Sequence, residues 1–319
     1  MTFLETMLKP LFEVSSKDIP TFAEDNPTTQ RLKQVVFTVT DCCHLTFVNS
    51  RFDVLVPRLD AYEDELRGFA YEGAGTGLAA LDCFLPWKNR TRAFINGPGS
   101  DYTYAVLLGV GMGLARIKRR PEPFIARLDN VFRWVVMDGY GFHEGFFAYR
   151  RTVKQQEVPE YLSSYARRVF DQGLGRSLWF SVGANVERVV ATISAFPPER
   201  QIDLWSGVGL ACGYTGGVDR ATIEILRNAV GSYRSQLALG VAVAARARQH
   251  VSNPVAHNEM ACEVLCGLSS EEAARLADAA LANLPPDGSE PAYEIWRQRI
   301  KTQLTAHAES VYQPEEVKP

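Results

Sequence analysis

The run Asp138-Gly-Tyr-Gly-Phe-His143-Glu144-Gly145 concentrates two carboxylates and an imidazole on a glycine-rich stretch. Such groups do general acid–base chemistry when they face a cavity: a carboxylate sets the charge of a nearby imidazole, and histidine titrates near neutral pH. Asp138, His143 and Glu144 are therefore the candidate proton-handling residues. The competing reading makes Asp138 a helix N-cap and His143 a hydrogen-bonded packing residue. Tyr140 lies between them. Further on, Asp171 and Gln172 precede another glycine pair, and Arg176 and Trp179 follow Gln172 at helical spacing. Glu72, Asp138, Gln172 and Ser206 each stand directly before a glycine of the same kind. If the helices stack in register, these four form a ladder on one surface. Glu72, Tyr140, Asp171, Gln172, Arg176, Trp179 and Ser206 are thus the candidate substrate-binding residues.

The elements that must position them are marked by small-residue triplets. Gly73-x-Gly75-x-Gly77, Gly109-x-Gly111-x-Gly113, Gly139-x-Gly141-x-His143, Gly173-x-Gly175-x-Ser177, Gly207-x-Gly209-x-Ala211 and Gly240-x-Ala242-x-Ala244 follow at steps of 36, 30, 34, 34 and 33 residues. Glycine within a helix costs about 1 kcal/mol relative to alanine, so repeated glycines must serve close packing. Gly207 and Gly209 lie about 200° apart on an ideal helix, so each triplet helix is small on two nearly opposite sides. Such a helix fits between two neighbours. A period near 34 is that of a helix–turn–helix repeat, and stacked repeats bury the faces that single copies cannot. The fold predicted is all-α, an α-solenoid of stacked helix pairs. His143 is the one large residue at the third triplet position, which singles it out.

One period before Gly73 lies Val39, so Val35–Val48 reads as a degenerate first helix despite the strand propensity of Val35–Thr40. Residues 1–34 read as an irregular N-terminal arm, 35–305 as one helical-repeat domain, and 306–319 as a frayed tail. Gly216-Gly217 signals a helix end, and Ser269 with Glu272 a capping box.

Composition sets outer bounds. The 319 residues are 46% hydrophobic with a net charge of −3, enough for a large core and without an electrostatic case for nucleic acid. No run of 18 apolar residues occurs, no secretory signal is visible, and six cysteines make no disulfide framework, so a cytoplasmic location is expected. Cys262 and Cys266, with His257 nearby, lack a second tight pair for zinc and read as core; Cys42-Cys43-His44 reads likewise. Gly73-x-Gly75-x-Gly77 lacks the preceding strand of a nucleotide-binding loop. No motif designates a cofactor. Aromatics crowd the third and fourth copies, among them Trp134, Phe142, Phe146, Phe147, Phe170 and Phe180; core packing uses most, and a cavity for a long apolar molecule could use some.

Several runs resemble the domain-of-unknown-function 1702 family, associated with bacterial enediyne polyketide gene clusters: Glu65-Leu-Arg-Gly-Phe-Ala-Tyr-Glu-Gly-Ala74, Asp138-Gly-Tyr-Gly-Phe142, Asp171-Gln-Gly-Leu-Gly-Arg-Ser-Leu-Trp-Phe180, Asp203-Leu-Trp-Ser-Gly-Val-Gly-Leu-Ala211, Ala244-Ala-Arg-Ala-Arg248 and Glu290-Pro-Ala-Tyr-Glu-Ile-Trp-Arg297. The likeness spans roughly residues 35 to 300. It implies a role in making or tailoring a polyene-derived natural product and brings no settled catalytic residues. Two function classes follow. One is an enzyme that cyclises or isomerises a hydrophobic polyene or isoprenoid chain, free or carrier-bound, with Asp138, His143 and Glu144 moving protons. The other is a non-catalytic scaffold that grips a polyketide synthase or carrier protein. An enclosed apolar pocket beside Asp138 favours the first, an open polar groove the second.

Overall fold

The computed structural model describes residues 3–15 and 19–312, and these contain helices and no strand. In chain order the helices are α1 (Phe3–Leu11), α2 (Pro27–Val48), α3 (Phe52–Asp60), α4 (Asp64–Phe84), α5 (Arg90–Ile95), α6 (Thr103–Arg116), α7 (Glu122–Ile125), α8 (Val135–Phe147), α9 (Ser164–Ser181), α10 (Val186–Ser194), α11 (Pro198–Thr215), α12 (Arg220–Ala229), α13 (Arg234–His250), α14 (Ala256–Cys266), α15 (Ser270–Ala279) and α16 (Ala292–Tyr312). Their ends follow local chemistry. The Asn26 side chain accepts from the Thr29 amide at 2.8 Å and Pro27 opens α2. Ser269 and Glu272 close the expected capping box on α15, and α11 stops at Gly216, whose φ of 69° suits glycine.

The six triplets lie on α4, α6, α8, α9, α11 and α13, and each of these helices packs on the next, with α2 ahead of α4. The glycines set this spacing. A Cβ on Gly207 would overlap the Gln172 carbonyl of α9, and one on Gly209 would overlap the Leu237 carbonyl of α13. The first glycine thus admits the preceding helix and the second the following one, as the 200° separation requires. Gly73 meets Val39 and Gly77 meets Cys43 and Thr46, so α2 and α4 run parallel, and Val35–Val48 is helical despite its strand propensity. The same register holds down the row, for instance Gly141 on Phe170 and Gly145 on Leu174 and Ser177.

The two ends of the row meet. The Arg248 guanidinium on α13 donates to the Glu65 carbonyl at the start of α4 (3.1 Å) and to the Tyr214 carbonyl of α11 (2.6 Å). Arg31 on α2 donates to the Thr215 carbonyl at 3.1 Å, and the Thr28 hydroxyl to the Gly217 carbonyl at 2.6 Å. Asn253 bonds the Asp64 carbonyl. The triplet helices therefore surround an interior. Outside them stand shorter helices such as α10 and α12; between α8 and α9 the chain makes a π-helical turn, Arg150–Lys154, and then a non-helical stretch.

Two boundaries differ from those read in the sequence. The segment taken as an arm contains the start of α2, because Asn26 and Pro27 form a helix start eight residues before Val35. The segment taken as a frayed tail continues α16 to Tyr312, and the His307 imidazole lies 3.2 Å from the Gly267 carbonyl. Residues 313–319 of that tail lie outside the described residues.

α16 is fixed by a buried charge network. Arg297 donates to Asp203 at 2.9 Å and to Glu294 at 2.8 Å, while Arg168 reaches Asp203 at 3.1 Å and Glu294 at 2.8 Å. Two guanidinium groups face two carboxylates, so the charge is balanced where burial would otherwise make it costly.

Candidate functional site

With two sides of each triplet helix pressed against neighbours, a third face must point inward. On a helical wheel that face carries the residues three and seven positions after the first glycine. Three positions on are Thr76, Met112, Phe142, Arg176, Leu210 and Val243; seven on are Ala80, Arg116, Phe146, Phe180, Tyr214 and Ala247. All but Ala80 and Val243 line one cavity of about 290 Å³. Val35, Val36 and Val39 of α2 complete its wall, and Phe69, Tyr104, Leu108, Phe132 and Phe147 make it largely apolar and aromatic. Roughly 300–1,000 Å³ is usual for a small-molecule pocket, so this one is at the small end of that range.

Set into this wall are Asp101, Arg116, Arg246 and a charged group around Arg176. Arg176 Nε donates to Asp138 Oδ1 at 2.9 Å, and Arg176 Nη1 lies 3.6 Å from Glu72 Oε1. Gln172 Nε2 donates to Asp138 Oδ2 at 2.5 Å and lies 3.5 Å from the Tyr293 hydroxyl of α16. The Arg176 guanidinium also sits over the Phe142 ring, 4.6 Å from its centroid. Glu72 and Arg176 line the cavity, whereas Asp138 lies behind Arg176, fully buried. Burial pushes the Glu72 carboxyl up to about 7, and Asp138 adds to the rise; Arg176 opposes both.

His143 also lines the cavity. Burial holds its pKa below the ordinary value, against the pull of Glu144, whose Oε1 lies 3.4 Å from Nδ1. Its ring packs on Phe147 at 4.8 Å, and Nε2 has no hydrogen-bond partner. Glu72 thus gains a proton more readily than a free carboxyl, and His143 less readily than a free imidazole. Burial thus favours the neutral form of both groups, a carboxyl that can give a proton and an imidazole that can take one.

The structure brings together part of the residue set read from the sequence. Glu72, His143 and Arg176 reach the cavity; Asp138 and Gln172 support Arg176 from behind. Glu144 turns to Arg151. Tyr140 bonds the Tyr161 hydroxyl at 2.8 Å, Asp171 is clamped by Arg200 through contacts of 2.6 and 2.9 Å, and Trp179 donates to the Gly216 carbonyl at 3.0 Å. Ser206 is buried, and its carbonyl stands against Gly240. These four do not line the cavity. Cys262 and Cys266 are buried on α14. Sequence reasoning missed Met112, Arg116, Tyr104 and Tyr214 as cavity residues. For Met112, Arg116 and Tyr214 the signal was present: they stand at fixed offsets from their glycines.

Among the described residues no helix is long and apolar enough to cross a membrane. Comparison with curated proteins and with solved structures finds no match. The family model described as "Protein of unknown function (DUF1702)" matches residues 5–304, nearly the whole described chain and including most of the segment before Val35. The chain belongs to the DUF1702 family.

Proposed function

We propose that this protein binds a hydrophobic polyene or isoprenoid chain in its interior cavity and isomerises or cyclises it by acid–base chemistry, as a step in bacterial natural-product biosynthesis of the enediyne polyketide kind. The observation that carries this reading is an apolar, aromatic cavity with a carboxyl of raised pKa and an imidazole of lowered pKa on its wall. A surface scaffold for a synthase or carrier protein has no use for such an interior. In this reading Glu72, near half protonated at neutral pH, gives a proton to one atom of the chain. Neutral His143 takes one from another, so the chain is rearranged without change of composition. Asp138 and Gln172 hold the Arg176 guanidinium in place, and Arg176 tunes Glu72. Glu144 acts on His143 from outside the cavity. The aromatic wall keeps water from a reactive intermediate.

The test is made in the producing cell with the native gene replaced by Glu72→Gln or His143→Ala. Both variants should accumulate the unrearranged chain, detected by chromatography with mass spectrometry, at protein levels equal to wild type. Unchanged product levels in both would remove the acid–base roles.

A further inference from the structure

Among the buried polar atoms on the cavity wall that make no hydrogen bond are Arg176 Nη2 and His143 Nε2. Arg176 is 7% exposed and its Nη2 makes no hydrogen bond, although Nε is engaged by Asp138 and Nη1 faces Glu72. His143 is likewise 7% exposed and its Nε2 is unpaired. A buried polar group left unpaired costs on the order of 1–3 kcal/mol, more when charged. A pure hydrocarbon in the cavity would leave the charged Arg176 Nη2 desolvated and unpaired. We infer that the ligand of this cavity is an apolar chain bearing a neutral carbonyl oxygen, seated on Arg176 Nη2.

The charge beside Nη2 selects a neutral oxygen over a carboxylate, and the other arginines on the wall are already engaged, Arg246 by Asp278 and Arg116 by the Leu11 and Glu13 carbonyls. Arg176 already faces two carboxyl groups, Asp138 and Glu72. When Glu72 is ionised the three groups together carry one negative charge, and when it is protonated they carry none. A ligand carboxylate would add a second negative charge, or bring one to a neutral site, in a setting with little water to screen it. A ketone or ester oxygen accepts the Nη2 hydrogen without that penalty. The Phe142 ring under the guanidinium closes one face of the donor, so the oxygen must approach in the guanidinium plane, where the hydrogens point. The rest of the chain then lies along the apolar wall of Leu108, Met112 and Leu210.

This inference rests on the proposed binding of a hydrophobic chain, and its test separates the two. The probes are 2-tridecanone, carbon-13 labelled at the carbonyl, and 2-methyl-1-tridecene, which has the same shape with CH2 in place of oxygen. Each is titrated against a fluorescent apolar dye bound to the full-length protein. The ketone should displace the dye at about tenfold lower concentration, the effect of one charge-assisted hydrogen bond. Its bound carbonyl carbon should resonate downfield of its position in hydrocarbon solvent. Arg176→Met should abolish both effects. Should that variant fail to fold, the carbonyl resonance in the wild type and in His143→Phe decides, and it should stay downfield in both. Equal displacement by the two probes, with a hydrocarbon-like carbonyl resonance, overturns the inference while leaving hydrophobic binding intact. Displacement by the alkene alone has the same meaning. If neither probe displaces the dye, the proposed function falls with it.

Discussion

Glu72 and Arg176 approach to 3.6 Å across the interior, although their helices, α4 and α9, are separated in the row by α6 and α8. The contact exists because both side chains stand on the inward face that the glycine edges leave free. Burial, against the pull of Arg176, couples Glu72 to pH. The folded carboxyl sits at about 7 against 4.5 when free, so between these values the folded state binds more protons than the unfolded state. Stability contributed at low pH is therefore lost as pH rises from 4.5 through about 7, by at most about 3 kcal/mol for this group. Glu72→Gln should flatten this slope. Urea unfolding at about pH 5 and pH 8 checks it: the variant should gain on wild type at the higher pH. A parallel fall in both proteins would place the slope elsewhere.

The glycine edges make a separate prediction. At Gly207 a Cβ would overlap the Gln172 carbonyl and the Arg176 amide, both backbone atoms inside a helix that cannot yield cheaply. Gly207→Ala should cost several kcal/mol, beyond the usual 1–3 kcal/mol of overpacking. Gly288→Ala, where a Cβ meets nothing within 4 Å, is the control and should be near neutral. A melting temperature unchanged in Gly207→Ala would mean that the helices are not in backbone contact there.

The network on α16 has a cost of its own. Arg297→Met leaves Asp203 and Glu294 buried with Arg168 as their remaining guanidinium. Removing one partner of a buried pair costs roughly 3–5 kcal/mol. The midpoint of denaturant unfolding should fall accordingly. A variant as stable as wild type would show that the two carboxylates are neutral or solvated.

His143 behaves differently in this account. Its Nε2 bonds nothing and its one polar contact, to Glu144, is long at 3.4 Å. His143→Ala enlarges a cavity that already exists, so the loss of stability should stay within roughly 1 kcal/mol, as for sites outside tight packing. Thermal melting checks this, and a collapse of the fold would make His143 a packing residue.

Much of this arrangement is legible in the sequence because glycine is a poor helix former. Gly207 and Gly209 have no reason to sit in a helix except contact on two sides, and that reasoning extends to the inward face where Arg176 lies. The singular size of His143 at its triplet position likewise pointed to the cavity. What was not legible depends on side chains meeting backbone far away in sequence. Nothing in the pattern says that Arg248 will bond the Glu65 carbonyl and so bring the ends of the row together. Nor does it say that Asp138 will be held behind Arg176, out of the cavity, while the equally buried Glu72 lines its wall. The start of α2 was missed for a simpler reason: Asn26-Pro27 reads equally as a turn or as a cap with proline at the first helical position.

The central claim is that the interior holds an apolar molecule, and native mass spectrometry tests it most directly. The full chain is purified under gentle conditions from a cell that makes conjugated or isoprenoid chains, beside Leu210→Trp, which fills the cavity from its wall. The account predicts one small unsaturated molecule bound per wild-type chain, recovered by solvent extraction, and the bare polypeptide mass for Leu210→Trp. The bare mass for both proteins, with nothing apolar in either extract, would contradict it.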